Sequence, residues 1–500
     1  MWVDKSGALL STQAAKNAEL GISKTLAELQ TALANRVSCL LLESISVPPT
    51  GLAVPSYAIL EQQGGSIGFI GNTYSANKNI SKSGNATITL SNQDPNAGTA
   101  TVDAVIYQDP AWPNGAVYPQ KTTLSNLGIV GNPTTFNDSG IFILQGGVMT
   151  IDSVDVVNCI NGLRAKDMFL SDVRKLHTLG KIRIDNGTSV TLTDCWARGH
   201  TSREGAFDLT GLKYSVLNGC ASDGAPNTAY VFDYCQGITL NGCGCEGATT
   251  ITADRGAALA FKDNNTIVIN GFSCVPIQSQ GVALVTAGNN NRIEIHGWDS
   301  NFGQDNNTDI YVYGNGTIIE IFSSKFYNNR DPIIQIAVGS TSVVILHKAD
   351  GNIIKYFAPA VAGPAAREAL YDVGTWTPSL EFSGGAVGVA YSSRSGTWEK
   401  YGNQMIYHGR IALSSKGSST GIALITGIGN ASKGDESTKP ALASGITGGP
   451  TVLIIDQGSS TMLILLDTAT GTTNATEANI TNTTSIRFTI RFTLLGSKFS

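Results

Sequence analysis

The chain has 500 residues, is rich in glycine and carries a formal net charge of −5. This balance and the lack of a basic run argue against nucleic acid as a partner. No apolar stretch approaches the ~20 residues that cross a membrane, and no basic segment followed by an apolar core predicts a secretory signal, so we expect neither a membrane partner nor such export. The length favours two or three domains.

The N-terminal segment, residues 1–45, contains a sustained helical spacing of Leu and Ala in ALLSTQAAKNAELGISKTLAELQTALANR. This spacing predicts a helix that either caps the open end of a repeat structure or pairs with copies of itself. Residues 46–120 hold proline-containing turns and short strands, such as AVPSYAIL and NATITLSN. We expect them to form the first irregular coils of a domain that spans residues 46–360.

A repeat of about 25 residues runs from about 120 to 350, and each copy carries a short strand that ends at a polar corner with Gly or Asn. The copies alternate apolar and polar residues and are rich in Val, Ile and Thr. Fixed-period strands of this kind predict a right-handed parallel β-helix, with one turn per copy. The aliphatic anchors of the copies are Leu124, Ile151, Leu170, Leu192, Leu217, Leu240, Ile269, Ile295, Ile321 and Ile345.

Two further columns follow the anchors and are predicted to point inward. Three positions on stand Cys195, Cys220, Cys243, Phe272 and Trp298, and five positions on stand Ala197, Ser222, Cys245, Cys274 and Ser300. Asn and Gly recur before the strands, where they tolerate left-handed corners. The inward position favours reduced thiols as apolar fillers, although stacked cysteines could come within bridging distance. The cysteine spacing is not that of a zinc site, and we expect no metal and no cofactor.

The C-terminal segment, residues 361–500, follows the linker FAPAVAGPAAREA and loses the repeat. Its short strands and Gly/Ser/Thr turns predict an antiparallel β-sandwich. The stretch from Tyr371 to Ile428 resembles the jelly-roll domain of bacteriophage tailspikes and tail fibres. The matching pieces are Gly374-Thr375-Trp376-Thr377-Pro378, Tyr391-Ser392-Ser393, Gly396-Thr397-Trp398, Gly402-Asn403 and Lys416-Gly417-Ser418-Ser419-Thr420-Gly421.

The resemblance implies a homotrimer whose sandwich trimerises the spike or binds carbohydrate. It also implies a central, pectin-lyase-like β-helix that cleaves a bacterial surface polysaccharide. A protein of this kind acts outside the host cell, as part of the virion, beside other phage tail or baseplate proteins.

Two columns of the β-helix are predicted to face solvent, because inward and outward residues alternate along a strand. Four positions after the anchor the column reads Trp196, Ala221, Gly244, Ser273, Asp299, and six positions after it reads Arg198, Asp223, Glu246, Val275, Asn301. Asp223 and Glu246 would have backbones about 4.8 Å apart. Carboxyl groups that close resist joint ionisation, so one can hold a proton as general acid while the other acts as nucleophile or base.

Asp223 and Glu246 are therefore the candidate catalytic pair, with room for a sugar ring beside Ala221 and Gly244. Trp196 offers a stacking face and Arg198 a partner for an anionic sugar. Longer turns supply rivals: His200, Arg203, Glu204 and Asp208 in GHTSREGAFDL, Asp233-Tyr234, and Asp254-Arg255 in TADRGAAL. The candidate substrate-binding residues are Trp196, Arg198, His200, Arg203, Asp208, Tyr234, Asp254 and Asp299.

Three functions remain open from the sequence. The first is endolytic hydrolysis of capsule, O-antigen or exopolysaccharide during host adsorption. The second is β-elimination from a uronate, for which Arg198, His200, Arg203 and Tyr234 could supply a base and neutralise the carboxylate. The third is a receptor-binding fibre without catalysis, in which the outward charges are only a solvated face.

Overall fold

A computed structural model describes the following residues: 22–23, 25–35, 38–55, 57–63, 67–70, 73–76, 78–91, 99–108, 121–199, 205–226, 228–246, 257–274, 283–300, 308–322, 332–361, 365–383, 385–402, 404–428, 439–455 and 461–493. They fall into two compact units. The first comprises Met1–Ile345 with Tyr356–Ala366, and the second Leu346–Lys355 with Arg367–Ser500. None of the helices in the described part of the chain is both long and apolar enough to span a membrane.

The first unit begins with one helix and short strands. The helix α1 is Leu26–Ala34. The strands are β1 Ile22–Ser23, β2 Cys39–Leu41, β3 Ile45–Val47, β4 Leu52–Val54, β5 Ile59–Gln62, β6 Ile67–Ile70, β7 Thr73–Ala76, β8 Ile80–Lys82, β9 Ile88–Ser91, β10 Thr99–Val102 and β11 Ala104–Gln108.

The repeat region supplies the next group of strands. They are β12 Thr123–Ser125, β13 Gly128–Val130, β14 Asn137–Ile143, β15 Gly146–Gly147, β16 Thr150–Val157, β17 Cys159–Ala165, β18 Met168–Thr178, β19 Lys181–Thr193, β20 Trp196–Ala197, β21 Phe207–Lys213, β22 Val216–Asn218, β23 Ala221–Asp223, β24 Tyr230–Asp233, β25 Gln236–Asn241, β26 Gly244–Glu246, β27 Ala257–Phe261, β28 Thr266–Asn270, β29 Ser273–Cys274, β30 Ala283–Ala287, β31 Arg292–His296, β32 Asp299–Ser300, β33 Ile310–Val312, β34 Ile318–Phe322, β35 Ile334–Ile336, β36 Val343–His347 and β37 Ile353–Phe357.

Most of these strands stack in parallel into three sheets, which form the faces of a parallel β-helix, while β6 with β7 and β9 with β10 form antiparallel pairs of their own. Sheet A holds the predicted anchors, sheet B the segments just after them, and sheet C the strands between one copy and the next. Sheet A contains β2, β5, β12, β16, β18, β19, β22, β25, β28, β31, β34 and β36; sheet B contains β3, β8, β13, β16, β18, β20, β23, β26, β29 and β32; sheet C contains β4, β11, β14, β17, β19, β21, β24, β27, β30, β33 and β35. The predicted parallel β-helix is confirmed, and its parallel pairing already starts at Ile22, where β1 pairs with β2.

The predicted inward columns are confirmed for most of the repeat. Leu192 pairs with Leu217, Leu217 with Leu240, and each further rung adds one aliphatic anchor. Two predicted anchors are wrong. Leu170 is 63% exposed, and Val173 takes its place in register with Ile151 and Leu192. Ile345 is half-buried, while Val344 and Leu346 point inward, because the run of apolar residues in this strand gives no alternation to read.

Left-handed corners join the sheets, as the Asn and Gly pattern predicts. Between sheets C and A, the backbone φ is 54° at Asn264, 53° at Asn290 and 68° at Gly316. Inside this corner the buried Asn265 donates from its amide to Asn291 Oδ1 at 2.8 Å, and it accepts from the backbone N–H of Cys235 at 2.8 Å. This asparagine ladder satisfies backbone groups that would otherwise be buried without partners.

The cysteines confirm the prediction of reduced thiols in the core. All eight are free and buried. The thiol of Cys220 donates to the carbonyl of Leu192 at 3.5 Å, and the thiol of Cys243 to that of Leu217 at 3.4 Å, so each thiol ties one rung to the anchor of the rung before. Burial raises the pKa of Cys39 to about 11. A thiol with so high a pKa is protonated at neutral pH and is a poor nucleophile.

The helix α1 begins at the N-cap Thr25, whose side chain accepts from the Glu28 N–H while Glu28 reciprocates. It buries Leu29, Ala32 and Leu33 and packs against β1, β2 and β3, the first strands of the solenoid. The helix therefore covers the start of the β-helix, which is the first of the two predicted roles. The helical pattern predicted upstream is wrong at Ile22–Ser23, which form β1; residues 1–21 lie outside the described residues.

The second unit consists of antiparallel sheets around one hydrophobic core. One sheet has the order β38-β40-β41-β48-β44, and the other β39-β42-β46-β45-β43 with β47 beside β46. The predicted antiparallel character is confirmed. The strands are β38 Ala366–Trp376, β39 Ser379–Phe382, β40 Val389–Tyr401, β41 Gln404–Lys416, β42 Ala423–Thr426, β43 Lys439–Pro440, β44 Leu442–Ile446, β45 Thr451–Ile455, β46 Met462–Thr468, β47 Gly471–Asn474 and β48 Ile480–Thr493.

Candidate functional site on sheet B

The candidate site lies on the outer face of sheet B, where the strands of successive rungs are short and in register. Trp196 pairs with Ala221, Ala221 with Gly244, and Gly244 with Ser273. Asp299 continues the column beside Ser273. The alternation within each strand buries the middle residue and leaves its neighbours outside, as the sequence predicts.

Asp223 and Glu246 are direct register partners on adjacent rungs. Both are exposed, while Ser222 and Cys245 between the columns are buried. The backbones are held together at this point, since the Gly224 N–H donates to the Glu246 carbonyl at 2.7 Å. Two carboxylates about 4.8 Å apart at the backbone can address one bond of a ligand from the same face.

The surroundings of the acid pair suit a sugar polymer. Trp196 is half-buried, and Ala221 and Gly244 follow it along the column, so that an indole face is flanked by a shallow strip without bulky side chains. Arg198 reaches toward the same rungs, because its Nε lies 3.6 Å from the point where a Cβ on Gly224 would sit. The face thus combines a stacking surface, a cation and two acids.

Tyr230 holds the two acid-bearing rungs from inside. Its hydroxyl lies 2.7 Å from the Cys220 carbonyl and 2.9 Å from the Gly244 carbonyl, both close in sequence to the acids. The ring stacks on Phe207 at 4.6 Å and is fully buried. A buried aromatic that bridges two backbones fixes the spacing of the strands above it, and the repeat alignment does not reveal it because it lies in sheet C.

Sequence reasoning missed two residues on this face. His177 pairs in register with Trp196, and Asp155 with His177. The His177 Nδ1 is 3.2 Å from Asp155 Oδ1, and the Asp155 side chain is 14% exposed. Both stand four positions after their true anchors, Ile151 and Val173. The wrong choice of Leu170 as anchor hid His177, and reading the same column upstream from Ile151 would have found Asp155.

Of the rival positions that the structure describes, Asp208 and Tyr234 lie away from sheet B, and Asp299 lies on it. Asp208 is not in a turn: it lies in β21 of sheet C, is buried, and faces Arg183 Nη1 at 4.0 Å. Tyr234 is exposed at the corner between sheets C and A. Asp299 shares the face of sheet B. His200, Arg203, Glu204, Asp254, Arg255, Val275 and Asn301 lie outside the described residues.

Metal coordination has no candidate among the residues that the structure describes: they contain no group of three or more His, Cys, Asp or Glu side chains able to hold an ion.

No protein-family model and no curated protein matches the sequence. Among solved structures, the chain is similar to the gp42 tailspike of Acinetobacter phage vb_AbaP_AS12, with 14% identity and a TM-score of 0.54 over 84% of this chain and 78% of that one. It also matches the enzymatically active domain of tailspike protein 2 of bacteriophage CBA120, with 12% identity and a TM-score of 0.43 over 95% and 74% of the two chains. A TM-score below 0.5 adds nothing to the fold assignment. The chain thus has the parallel β-helix fold of a solved phage tailspike.

Proposed function

We propose that this protein is a phage tailspike that binds a bacterial surface polysaccharide (capsule, O-antigen or exopolysaccharide) and hydrolyses it endolytically during host adsorption. It would act outside the host cell as part of the virion, joined to other phage tail or baseplate proteins. The fold shared with a solved tailspike supports this proposal, as does the resemblance of the segment from Tyr371 to Ile428 to tailspike jelly rolls. The observation that carries the hydrolytic part is the register pairing of two exposed acids, Asp223 and Glu246.

In the proposed reaction, one carboxyl group of the pair protonates the glycosidic oxygen as the bond to the sugar carbon breaks. The other carboxylate either attacks that carbon or takes a proton from the water that does so. Trp196 would stack on a neighbouring sugar ring, and Arg198 would hold an anionic substituent. The strip of Ala221 and Gly244 leaves the space in which the chain of sugars would lie.

β-Elimination is the second candidate, and the pair of His177 and Asp155 favours it. If Nδ1–H of His177 donates to Asp155, the free Nε2 can act as a base. It would remove the proton next to a uronate carboxylate while the glycosidic bond on the adjacent carbon breaks and the leaving oxygen takes a proton from water, which gives an unsaturated sugar and a free hydroxyl. Arg198, on the neighbouring rung, would neutralise the carboxylate.

The test is to incubate the full chain with purified surface polysaccharides and to measure new reducing ends together with the ultraviolet absorbance of unsaturated uronates. Hydrolysis predicts reducing ends without this absorbance. Both signals together would show that the reaction is elimination and not hydrolysis. Binding to a polysaccharide with neither signal would show a receptor-binding fibre without catalysis and contradict the proposed enzyme.

The proposal includes a homotrimer, and one feature of the first unit supports a contact with other copies. Val148, Leu170 and Tyr214 share a corner column between sheets C and A, since the residues before them pair in register, and the exposed Ser189 stands between Leu170 and Tyr214 in that column. The three apolar side chains are 41%, 63% and 71% exposed, and the φ angles of these residues are 54°, 50° and 48°. Large apolar residues gain nothing from solvent or from left-handed backbone, so burial by another subunit explains them best.

Replacing this apolar column by asparagine is expected to weaken the trimer without harming the β-helix. Asparagine tolerates the left-handed conformation better than Val, Leu or Tyr. The triple variant Val148→Asn, Leu170→Asn, Tyr214→Asn should keep its circular dichroism spectrum but shift toward monomer in light scattering. Phe136→Asn, at another left-handed position with φ 50°, is the matched control. A monomeric parent protein, or a triple variant as trimeric as the parent, would refute this interface.

A further inference from the structure

The second unit has a cavity that is lined by none of the residues of the candidate site on sheet B. Its volume is about 850 Å³, and it opens where β38, β40, β41, β44 and β48 lie side by side. This volume is within the range of small-ligand sites. The described residues of its wall include three arginines and a histidine but no aspartate or glutamate. The wall is therefore cationic in a chain whose formal net charge is −5.

Two of the arginines face each other across neighbouring strands. Arg410 and Arg487 are direct register partners, and Leu442 lies opposite Arg487 on the next strand. Both arginines are exposed. Like charges directly opposite each other in an antiparallel pair destabilise the sheet, because their side chains start only about 5 Å apart. An anion that bridges the two guanidinium groups would remove this repulsion.

The third arginine lies on the other face of the same sheet. Arg394 pairs in register with the buried Ile411, whereas Arg410 and Arg487 pair with each other on the exposed side. The Arg394 guanidinium lies 4.4 Å from the centre of the Tyr391 ring, and its Nη1 donates to Ser379 Oγ at 2.7 Å. The anion contact of the cavity therefore depends on Arg410 and Arg487.

The rest of the wall has the chemistry that recognises a sugar. Ser395, Thr397 and Thr489 contribute hydroxyl groups, and His408 Nδ1 lies 2.9 Å from Thr489 Oγ1. Hydroxyl groups and an imidazole can bond the hydroxyls of a sugar ring, and planar guanidinium groups fit a carboxylate.

We propose that this cavity binds a carboxylate-bearing sugar, a uronate or a related acidic residue, of an anionic polysaccharide. Arg410 and Arg487 hold the carboxylate, and the hydroxyls of Ser395, Thr397 and Thr489, which lie on the same face of the sheet, bond the ring hydroxyls. This proposal rests on the proposed function only because its ligand is a glycan. It gives the second unit a binding site for acidic sugars that is separate from the acid pair on sheet B.

The test is calorimetric titration of the full chain with methyl glucuronoside, with methyl glucoside and with inorganic phosphate. The glucuronoside should bind and the glucoside should bind at least tenfold more weakly, because hydrogen bonds to charged groups contribute about 1.5–3 kcal/mol and 1.4 kcal/mol is tenfold. Arg410→Gln and Arg487→Gln should each weaken glucuronoside binding about tenfold or more. Arg491→Gln is the matched control, since Arg491 lies on the same strand as Arg487 but outside the cavity wall.

Three results would overturn the proposal: no binding of the glucuronoside, equal binding by the Arg410 and Arg487 variants, or phosphate binding that exceeds that of the glucuronoside. The last result would mean a general anion site. The variant Glu246→Gln should bind the glucuronoside as the parent does, even when it cleaves nothing. Failure of the acid pair and failure of this site are thus distinguished by separate measurements.

Discussion

Asp223→Asn and Glu246→Gln should each lower the rate of polysaccharide cleavage at least about a hundredfold, because a positioned acid or base contributes roughly 10²–10⁴ in rate. The two side chains are register partners on adjacent rungs and are both exposed, so the amide variants change the charge without opening a cavity. The initial rate of reducing-end formation measures the effect. Binding of the polysaccharide should change far less than the rate.

Glu294→Gln is the matched control for this pair. Glu294 is an outward acid in β31 of sheet A, 4.0 Å from Arg292, and so lies on a different face of the β-helix. Its variant should cleave at the parental rate. If the Asp223 and Glu246 variants both retain full activity as well, these acids are not the catalytic pair. They are then only solvated charges on the outer face of the β-helix.

Asp103→Ala should locally destabilise the start of the β-helix by about 3–5 kcal/mol, the usual cost of breaking a buried ion pair. Lys82 is 1% exposed, forms an ion pair with Asp103, and donates to the Ala104 carbonyl at 3.1 Å. The Asn137 amide donates to both Asp103 oxygens, at 3.0 and 2.9 Å. Removal of the carboxylate leaves a buried ammonium group and an amide without their acceptor.

Hydrogen exchange measures this effect better than a melting curve, because a chain of two units need not unfold in one step. Amides of β8, β11 and β14 should exchange roughly 10²- to 4 × 10³-fold faster in the variant. Arg174→Ala is the control, because it removes an exposed ion pair. Arg174 lies 2.8 Å from Asp172, and their side chains are 53% and 41% exposed. This variant should change the exchange rates by less than about fivefold. Unchanged protection in the Asp103 variant would show that the pair does not stabilise these rungs.

The sequence predicted the fold best where each rung repeats the same alternation and ends at Gly or Asn. From Val190 to Ile321 the corners are mostly Gly or Asn, and the inward columns follow without error. Upstream, Leu170 and Lys175 occupy left-handed corners in which side chains of this kind are uncommon. The apolar Leu170 was therefore mistaken for an anchor. At Ile345 four apolar residues in succession leave the face of the strand undetermined.

The candidate site was predictable only in part, because the repeat alignment covers sheets A and B but not sheet C. Asp223 and Glu246 lie where the columns place them. Asp208 was placed in a turn, although Phe207, Leu209 and Leu212 carry the apolar pattern of a strand and are all buried. His177 was hidden by the wrong anchor Leu170, and the bridge made by Tyr230 depends on a strand of sheet C outside the alignment. The arginine cavity depends on antiparallel pairing between distant strands, which has no repeat to reveal it.

The most direct test of the central claim is a crystal structure of the Glu246→Gln variant with a bound oligosaccharide of its polysaccharide. The claim predicts that the sugar chain lies along sheet B, with a glycosidic oxygen within hydrogen-bond distance of the side chain at position 223 or 246 and a ring against Trp196. An oligosaccharide bound on another face of the β-helix, with no sugar near Asp223, would contradict it.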